Sequence, residues 1–367
     1  MDSKYLDNIK QYKPVNYLNS SLSIWHKLPV ARRLSVFILL FFGSLGELRV
    51  VLTKRSTKLR NFPGHISLPG GKADNGLESE WQVARREMFE EIGISESNQY
   101  LKENYGFVID HITTLPCYLS RTFSAVKPCI GFMNFDNPEI SEVELIHNLK
   151  LSVNPGESSS VFSCPLKDFL YPLKEGLEDG VDAAPSALEA LLRSSHRVKW
   201  GGIPWMLRSY VFLQHNENET GWLKEMASLS TSEEESVDES GDTEDEAAKK
   251  RQSPPPPKRQ KKDLSNWGRL GSRRLSDTNE KVYDVWGLTA NILHDLATIV
   301  YSNPDSNKAL GEEELIHSIW DKGGQMKEKS RSDLEIALIE SNSVKDFGFG
   351  DILPRTEFNR LKNLYKI

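Results

Sequence analysis

Between Ser79 and Gly93 the chain reads as one short helix with two unlike faces. Ser79 followed by Gln82 makes a capping box, in which each side chain takes up a backbone N–H that the helix start leaves open, and Gly93 is a natural stop. Trp81, Ala84, Met88 and Ile92 recur at three- and four-residue spacing and form an apolar face. Glu87, Glu90 and Glu91 stand at i, i+3 and i+4, so their carboxylates gather on another side. Such a cluster repels itself unless a cation lies within it. A hard divalent ion such as Mg²⁺ takes oxygen ligands, keeps several waters and bridges readily to phosphate. Water held by such an ion is acidified and becomes a nucleophile for attack at phosphorus.

The surrounding sequence predicts a sheet for the apolar face to pack on. Two apolar runs, residues 36–42 and 48–53, flank a short glycine-containing turn and read as a β-hairpin. A Gly/Pro-rich stretch ends in Pro69-Gly70-Gly71, where paired glycines let the backbone approach a metal or phosphate closely. The loop Asp74-Asn75-Gly76 follows, and Arg86 is placed to pair with Glu78 and hold that loop against the helix. Further strands are expected over 107–115, 127–135, 161–166 and 210–213, with a helix near 183–192. Order resumes at 282–290 and continues as a helix to about residue 301, with helical patterns again at 315–320 and 334–339. No fixed-period repeat is present.

Composition matters most over residues 217–280. Glu233 to Glu246 is an acidic tract, followed by Lys249-Lys250-Arg251, four prolines and Lys258 to Lys262. Such a stretch buries too little apolar surface to offset its ordering entropy, so a disordered insertion is expected. The net charge of −6 is the sum of these opposed blocks and does not suggest a nucleic-acid binder. The basic block resembles a bipartite nuclear import signal, or serves as a charge-balanced linker. Cys117, Cys129 and Cys164 show no metal or redox spacing and read as small buried residues of a protein in a reducing compartment. The run at 36–42 is far shorter than the roughly 20 residues that span a bilayer, and no signal-peptide pattern precedes it. A soluble intracellular protein without a membrane span is expected.

From Gly71 through Glu78 to Arg86-Glu87-Met88-Phe89-Glu90-Glu91-Ile92-Gly93-Ile94 the chain resembles the Nudix box, with one extra residue between Gly71 and Glu78. Upstream, Leu52-Thr53, Arg55-Ser56, Arg60, Gly64 and Leu68-Pro69-Gly70-Gly71 resemble the added signature of the coenzyme A pyrophosphatase branch. Val51 and Leu68 replace its usual Leu and Phe, and the extra loop residue is itself similar to that branch. Asn154-Pro155-Gly156-Glu157 resembles another of its segments, although Ser160 stands where a second acidic residue is expected. Trp286 to Ala290 resembles its final strand-to-helix element.

The resemblance implies an α/β (α+β) fold, an α/β/α sandwich around a mixed sheet. It would span residues 31–216, be interrupted by 217–280 and be completed by 281–301. Residues 1–30 would be a lead-in and 302–367 a partly helical extension of unclear role. The implied reaction is hydrolysis of the pyrophosphate of coenzyme A and its derivatives, to 3′,5′-ADP and 4′-phosphopantetheine or its acyl form, with Mg²⁺ or Mn²⁺. Glu87, Glu90 and Glu91 would bind the metal, and one of them or Glu157 would act as base. Arg55 and Arg60 suit the phosphates of a nucleotide, with Gly70 and Gly71 beside them. Two other readings stay open: a Nudix enzyme for oxidised nucleotides, ADP-ribose or dinucleotides, and a nucleotide-binding regulator without turnover. The regulator would be expected to have lost carboxylates that are all present here. The resemblance points to peroxisomes, yet Tyr365-Lys366-Ile367 is not a Ser-Lys-Leu signal. Cytoplasm and nucleus stay open, and no oligomeric state follows.

Overall fold

The computed structural model describes residues 3–59, 61–135, 149, 151–170, 189–228, 271–275, 278–302, 309–340 and 347–366. After α1 (Ser3–Gln11), the two apolar runs pair as expected. β1 (Arg33–Phe42) and β2 (Leu48–Arg55) are antiparallel, with Leu40 opposite Val50. β3 (Ile66–Ser67) pairs with the end of β2, and β4 (Gly70–Lys72) with the start of β1. α2 (Glu80–Ile92) carries the expected capping box and ends at Gly93, whose φ is 81°. α3 (Asn98–Tyr105) leads to β5 (Phe107–Thr114), β6 (Tyr118–Leu119), β7 (Ala125–Phe135) and β8 (Ser158–Pro165). β1 runs parallel to β7, whereas β2 and β4 pair with β1 antiparallel, so the sheet is mixed.

A second, antiparallel sheet is built from β9 (Ala190–Trp200), β10 (Ile203–Leu213), β11 (Ser272–Arg274) and β12 (Lys281–Trp286), in the order β11-β12-β10-β9. α4 (Gly221–Ser228) follows β10, and α5 (Gly287–Tyr301) follows β12. Side chains alternate along a strand, so β1 supplies two cores. Phe37, Leu39 and Phe41 pack with Ala84, Met88 and Ile92 of α2. Ile38 and Leu40 point the other way, into a core with Leu293, Leu296 and Val300 of α5 and with Tyr210 and Tyr283 of the second sheet. The layers are therefore α2, the mixed sheet, and α5 with the second sheet beneath it.

Three expectations change. Residues 190–192 belong to β9 rather than to a helix, because their backbone pairs with β10; residues 171–188 lie outside the described residues. The span 217–280 is structured at both ends, by α4 and β11. Trp222 stacks edge-on against Phe41 at 5.2 Å, which gives that end an apolar anchor despite its polar sequence. Residues 229–270, with the acidic and basic blocks, lie outside the described residues. The strand at 281–286 is core, yet it pairs with β10 and β11 and not with the mixed sheet.

The terminal segments form a third core. α6 (Glu313–Asp321), α7 (Asp333–Glu340), α8 (Phe349–Ile352) and α9 (Arg355–Leu364) make up most of the C-terminal extension. Leu315, Ile316 and Ile319 pack there with Ile24 and Trp25 of the lead-in and with Phe123. The three cysteines are free and buried. Among the described residues no helix is long and apolar enough to cross a membrane.

Candidate active site

The loop before α2 is fixed by Arg86, as its position in the sequence suggested. Its Nε donates to Glu78 at 3.0 Å, Nη2 to the Lys72 carbonyl at 2.8 Å and Nη1 to Glu87 at 2.9 Å. Glu78 in turn accepts the Asp74 N–H at 2.7 Å, so one guanidinium ties β4, the loop and the helix together.

Glu91 projects from α2 into the sheet and is 5% exposed. Its carboxylate accepts the Gly70 N–H at 3.2 Å, the Thr53 hydroxyl at 3.3 Å and the Ser158 hydroxyl at 3.2 Å. Burial nevertheless dominates and pushes its pKa up to about 7, with Glu87 adding repulsion and Arg55 pulling the other way. Glu87 lies one turn earlier, against Gly71. Burial raises its pKa too; Arg86 opposes that, while Glu90 and Glu157 add to it. Both glycines are needed for the approach. A Cβ on Gly70 would stand 2.4 Å from the Ser35 carbonyl, and one on Gly71 would stand 2.3 Å from the Glu87 carboxyl.

Glu157 arrives on a loop that caps the end of α2. Helix ends leave carbonyls without intrahelical partners, and here the Asn154 N–H donates to the Glu91 carbonyl and the Ser152 N–H to the Ile92 carbonyl, both at 3.1 Å. The next turn brings Glu157 to β2, where its carbonyl accepts the Ser56 N–H at 2.9 Å. Its Oε2 is buried without a hydrogen-bond partner, as is Nε of Arg55. An unsatisfied buried acceptor and donor beside one cluster leave places for a ligand to fill.

The structure thus gathers Glu87, Glu91, Glu157, Arg55, Gly70 and Gly71. Glu90 stands apart from them. Its side chain is 45% exposed and pairs with Arg86 at 3.2 Å, because adjacent helical residues diverge and Glu91 takes the inward direction. Arg60 lies outside the described residues. Among the described residues no three His, Cys, Asp or Glu side chains close into a metal cage. Mg²⁺ does not require one, since it usually keeps waters and is held by one or two carboxylates plus substrate phosphates. Two carboxyls raised by burial and an unpartnered Glu157 oxygen fit such a cation.

Thr53 and Ser158 were missed from the sequence. Thr53 lies within the upstream signature and Ser158 adjoins Glu157, but hydroxyls carry no pattern of their own. Ser160, where an acid was expected, instead meets the Tyr283 hydroxyl at 3.2 Å between the two sheets. A cavity of about 130 Å³ lies elsewhere, between the second sheet and the C-terminal extension, and its lining includes none of the expected site residues.

Residues 31–176 match the NUDIX domain family. Over nearly its whole length the chain is similar to peroxisomal coenzyme A diphosphatase 1 of Saccharomyces cerevisiae, with 36% identity covering 96% of this chain and 94% of that protein. Nudix hydrolase 15, mitochondrial, of Arabidopsis thaliana is 38% identical over 38% of this chain and 42% of its own length. Peroxisomal coenzyme A diphosphatase NUDT7 of Mus musculus is 29% identical over 35% of this chain and 44% of its own. Helix, paired glycines and end-to-end likeness agree, and the chain belongs to the Nudix hydrolase family.

Proposed function

We propose that this chain hydrolyses the diphosphate of coenzyme A and its derivatives to 3′,5′-ADP and 4′-phosphopantetheine or its acyl form, using Mg²⁺ or Mn²⁺, in the peroxisome. The observation that carries the reading is the convergence of Glu87 and Glu91 on Gly71 and Gly70, with Glu157 and Arg55 left unsatisfied nearby. The substrate and the compartment are supported by the full-length yeast relative, whose name states both.

Glu87 and Glu91 would hold the cation, with Glu90 reaching it from the rim. Bound there, the cation would offset the negative charge of the diphosphate oxygens. Arg55 would donate Nε–H to a phosphate oxygen, the bond its buried donor lacks. A water oxygen attacks one phosphorus, the bond from that phosphorus to the bridging oxygen breaks, and the second phosphate leaves with the electron pair. The proton lost by the water passes to a carboxylate, and the unpartnered Oε2 of Glu157 is the acceptor we assign.

Incubation with coenzyme A and Mg²⁺, followed by mass spectrometry, tests the reading. The expected products are 3′,5′-ADP and 4′-phosphopantetheine. Intact coenzyme A alongside cleaved ADP-ribose, dinucleotide or oxidised nucleotide would reject the substrate assignment and keep the reaction class.

A further inference from the structure

Beside Arg55, three rings come together that the hydrolytic reading leaves unused. Phe62-Pro63-Gly64-His65 is a tight turn: the His65 N–H donates to the Phe62 carbonyl at 3.4 Å, and Gly64 has a φ of +72°. Proline second and a left-handed glycine third are the marks of a type II turn. The turn sets the Phe62 and His65 rings 5.3 Å apart. The other face of the group is supplied by Trp286, at the end of β12, whose ring lies 5.4 Å from that of His65. This is where the second sheet meets the mixed one, and Trp286 is brought to the turn from more than two hundred residues away in sequence.

Two features set this group apart from ordinary packing. Phe62 is 42% exposed, although it is a large apolar side chain with the His65 ring beside it. It also has a φ of +53°, a conformation that costs a bulky residue strain and persists only where the surroundings hold it. The Arg55 N–H donates to the His65 carbonyl at 2.9 Å, so the turn is bolted to the residue whose buried Nε lacks a hydrogen-bond partner. The Arg55 charge bears on both His65 and Glu91, so the arginine neighbours the ring group as well as the carboxylates.

We propose that Phe62, with His65 and Trp286 behind it, forms the stacking platform for the purine of the substrate, so that the nucleotide half lies on the Arg55 side of the cleavage point. The inference rests on the coenzyme A reading. Of the two halves of such a substrate, one carries a flat π-system and an additional phosphate, and the other is a flexible chain of amides. An exposed aromatic face next to an arginine suits the first, because stacking tolerates any base and the guanidinium meets the phosphate. Phe62, His65 and Trp286 are therefore positioning residues for binding and take no part in proton transfer.

Calorimetric binding of 3′,5′-ADP, inorganic pyrophosphate and 4′-phosphopantetheine to the full chain tests this without turnover. Phe62→Ala should weaken 3′,5′-ADP roughly tenfold, within the range that loss of one stacking partner produces, and leave the other two probes unchanged. Phe62→Tyr should restore binding. Trp286→Phe, which keeps a ring, should weaken 3′,5′-ADP less than Phe62→Ala does. In turnover, Phe62→Ala should raise KM for coenzyme A with kcat retained. The inference is overturned if 3′,5′-ADP binds Phe62→Ala as well as wild type, if pyrophosphate weakens by the same factor, or if 4′-phosphopantetheine is the probe that weakens. Unchanged melting of the variant shows that a lost affinity is not a lost fold. If coenzyme A is not cleaved by the wild type, the substrate reading fails on its own, and 3′,5′-ADP binding still decides the platform.

Discussion

The Gly71 backbone and the Glu87 carboxyl are packed so tightly that a methyl group on Gly71 would stand 2.3 Å from the carboxyl carbon. Real side chains do not come so close, so the contact specifies both residues at once. Gly71→Ala should displace Glu87 by about an ångström, and a misplacement of that size at a reacting centre costs on the order of 10²-fold in rate. Because β4 lies at the surface and its pairing with β1 uses only backbone, melting should hardly change. Steady-state kinetics with coenzyme A and a melting curve check both halves. Wild-type kcat in this variant would mean that Glu87 does not need its present position.

Glu91 makes a second test, because its neighbours can satisfy an amide. In Glu91→Gln the amide oxygen can still accept from Gly70, and the NH₂ can donate to the hydroxyls of Thr53 and Ser158. The fold should survive, and repulsion with Glu87 should vanish. Wild type should melt higher with Mg²⁺; a cation at about 100 times its dissociation constant adds about 2.7 kcal/mol. Glu91→Gln should lose that increment together with most of kcat, and EDTA should lower wild-type melting but not that of the variant. If melting of the variant still rose with Mg²⁺ as in wild type, the cation would be bound elsewhere.

How much of this could be read beforehand depended on the range of the interaction. The cap at Ser79, the stop at Gly93 and the Arg86–Glu78 pair each join residues no more than eight apart in the chain, and local pattern gave all three. Periodicity placed Glu87, Glu90 and Glu91 on one side of α2 but carries no depth, so it could not separate buried Glu91 from exposed Glu90. The sheet built on β9 and β10 went unrecognised because an edge ladder is chosen by its partners, and β12 lies some seventy residues beyond β10. The third core was beyond local reading altogether. Trp25 and Ile316 share that core across nearly three hundred residues, and local pattern assigned neither the lead-in nor the partly helical extension a partner.

Glu313 is one of the buried acids that fasten that third core, alongside Glu335 on Arg32. It is 3% exposed and accepts the Ile24 N–H at 2.9 Å and the Cys117 N–H at 3.1 Å, with Lys127 Nζ at 3.7 Å. Glu313→Ala would leave two buried N–H groups and a buried ammonium without their acceptor. Removal of one partner from such a pair costs about 3–5 kcal/mol. Arg360, 43% exposed in its pairs with Glu314 and Glu357, should cost under about 1 kcal/mol when changed to alanine. Denaturant unfolding of the two variants measures the contrast. Equal losses would show that Glu313 does not fasten the terminal segments.

Glu312, next to it, should make stability depend on pH. It accepts the Leu119 N–H at 2.6 Å and the Trp205 indole N–H at 3.1 Å, and both bonds favour the charged form. Burial outweighs them, and Asp295 adds to it, so the carboxyl is pushed up to about 7. A carboxyl raised on folding binds its proton more tightly in the native state than in the unfolded chain. Its contribution is therefore full below about pH 4.3, the unfolded value. It is lost progressively as pH rises through 7, by up to about 3 kcal/mol. Glu91 shifts in the same direction, so wild type alone cannot assign the slope. Glu87 and Asp168 are raised by burial as well, and Glu312→Gln removes one of these titrations. Its amide must turn an NH₂ toward one of the two donors, which lowers stability by a constant amount at every pH. Unfolding free energies at intervals from pH 5 to 8 should therefore give a lower but flatter curve for the variant. Parallel curves would mean that Glu312 does not change its protonation over this range.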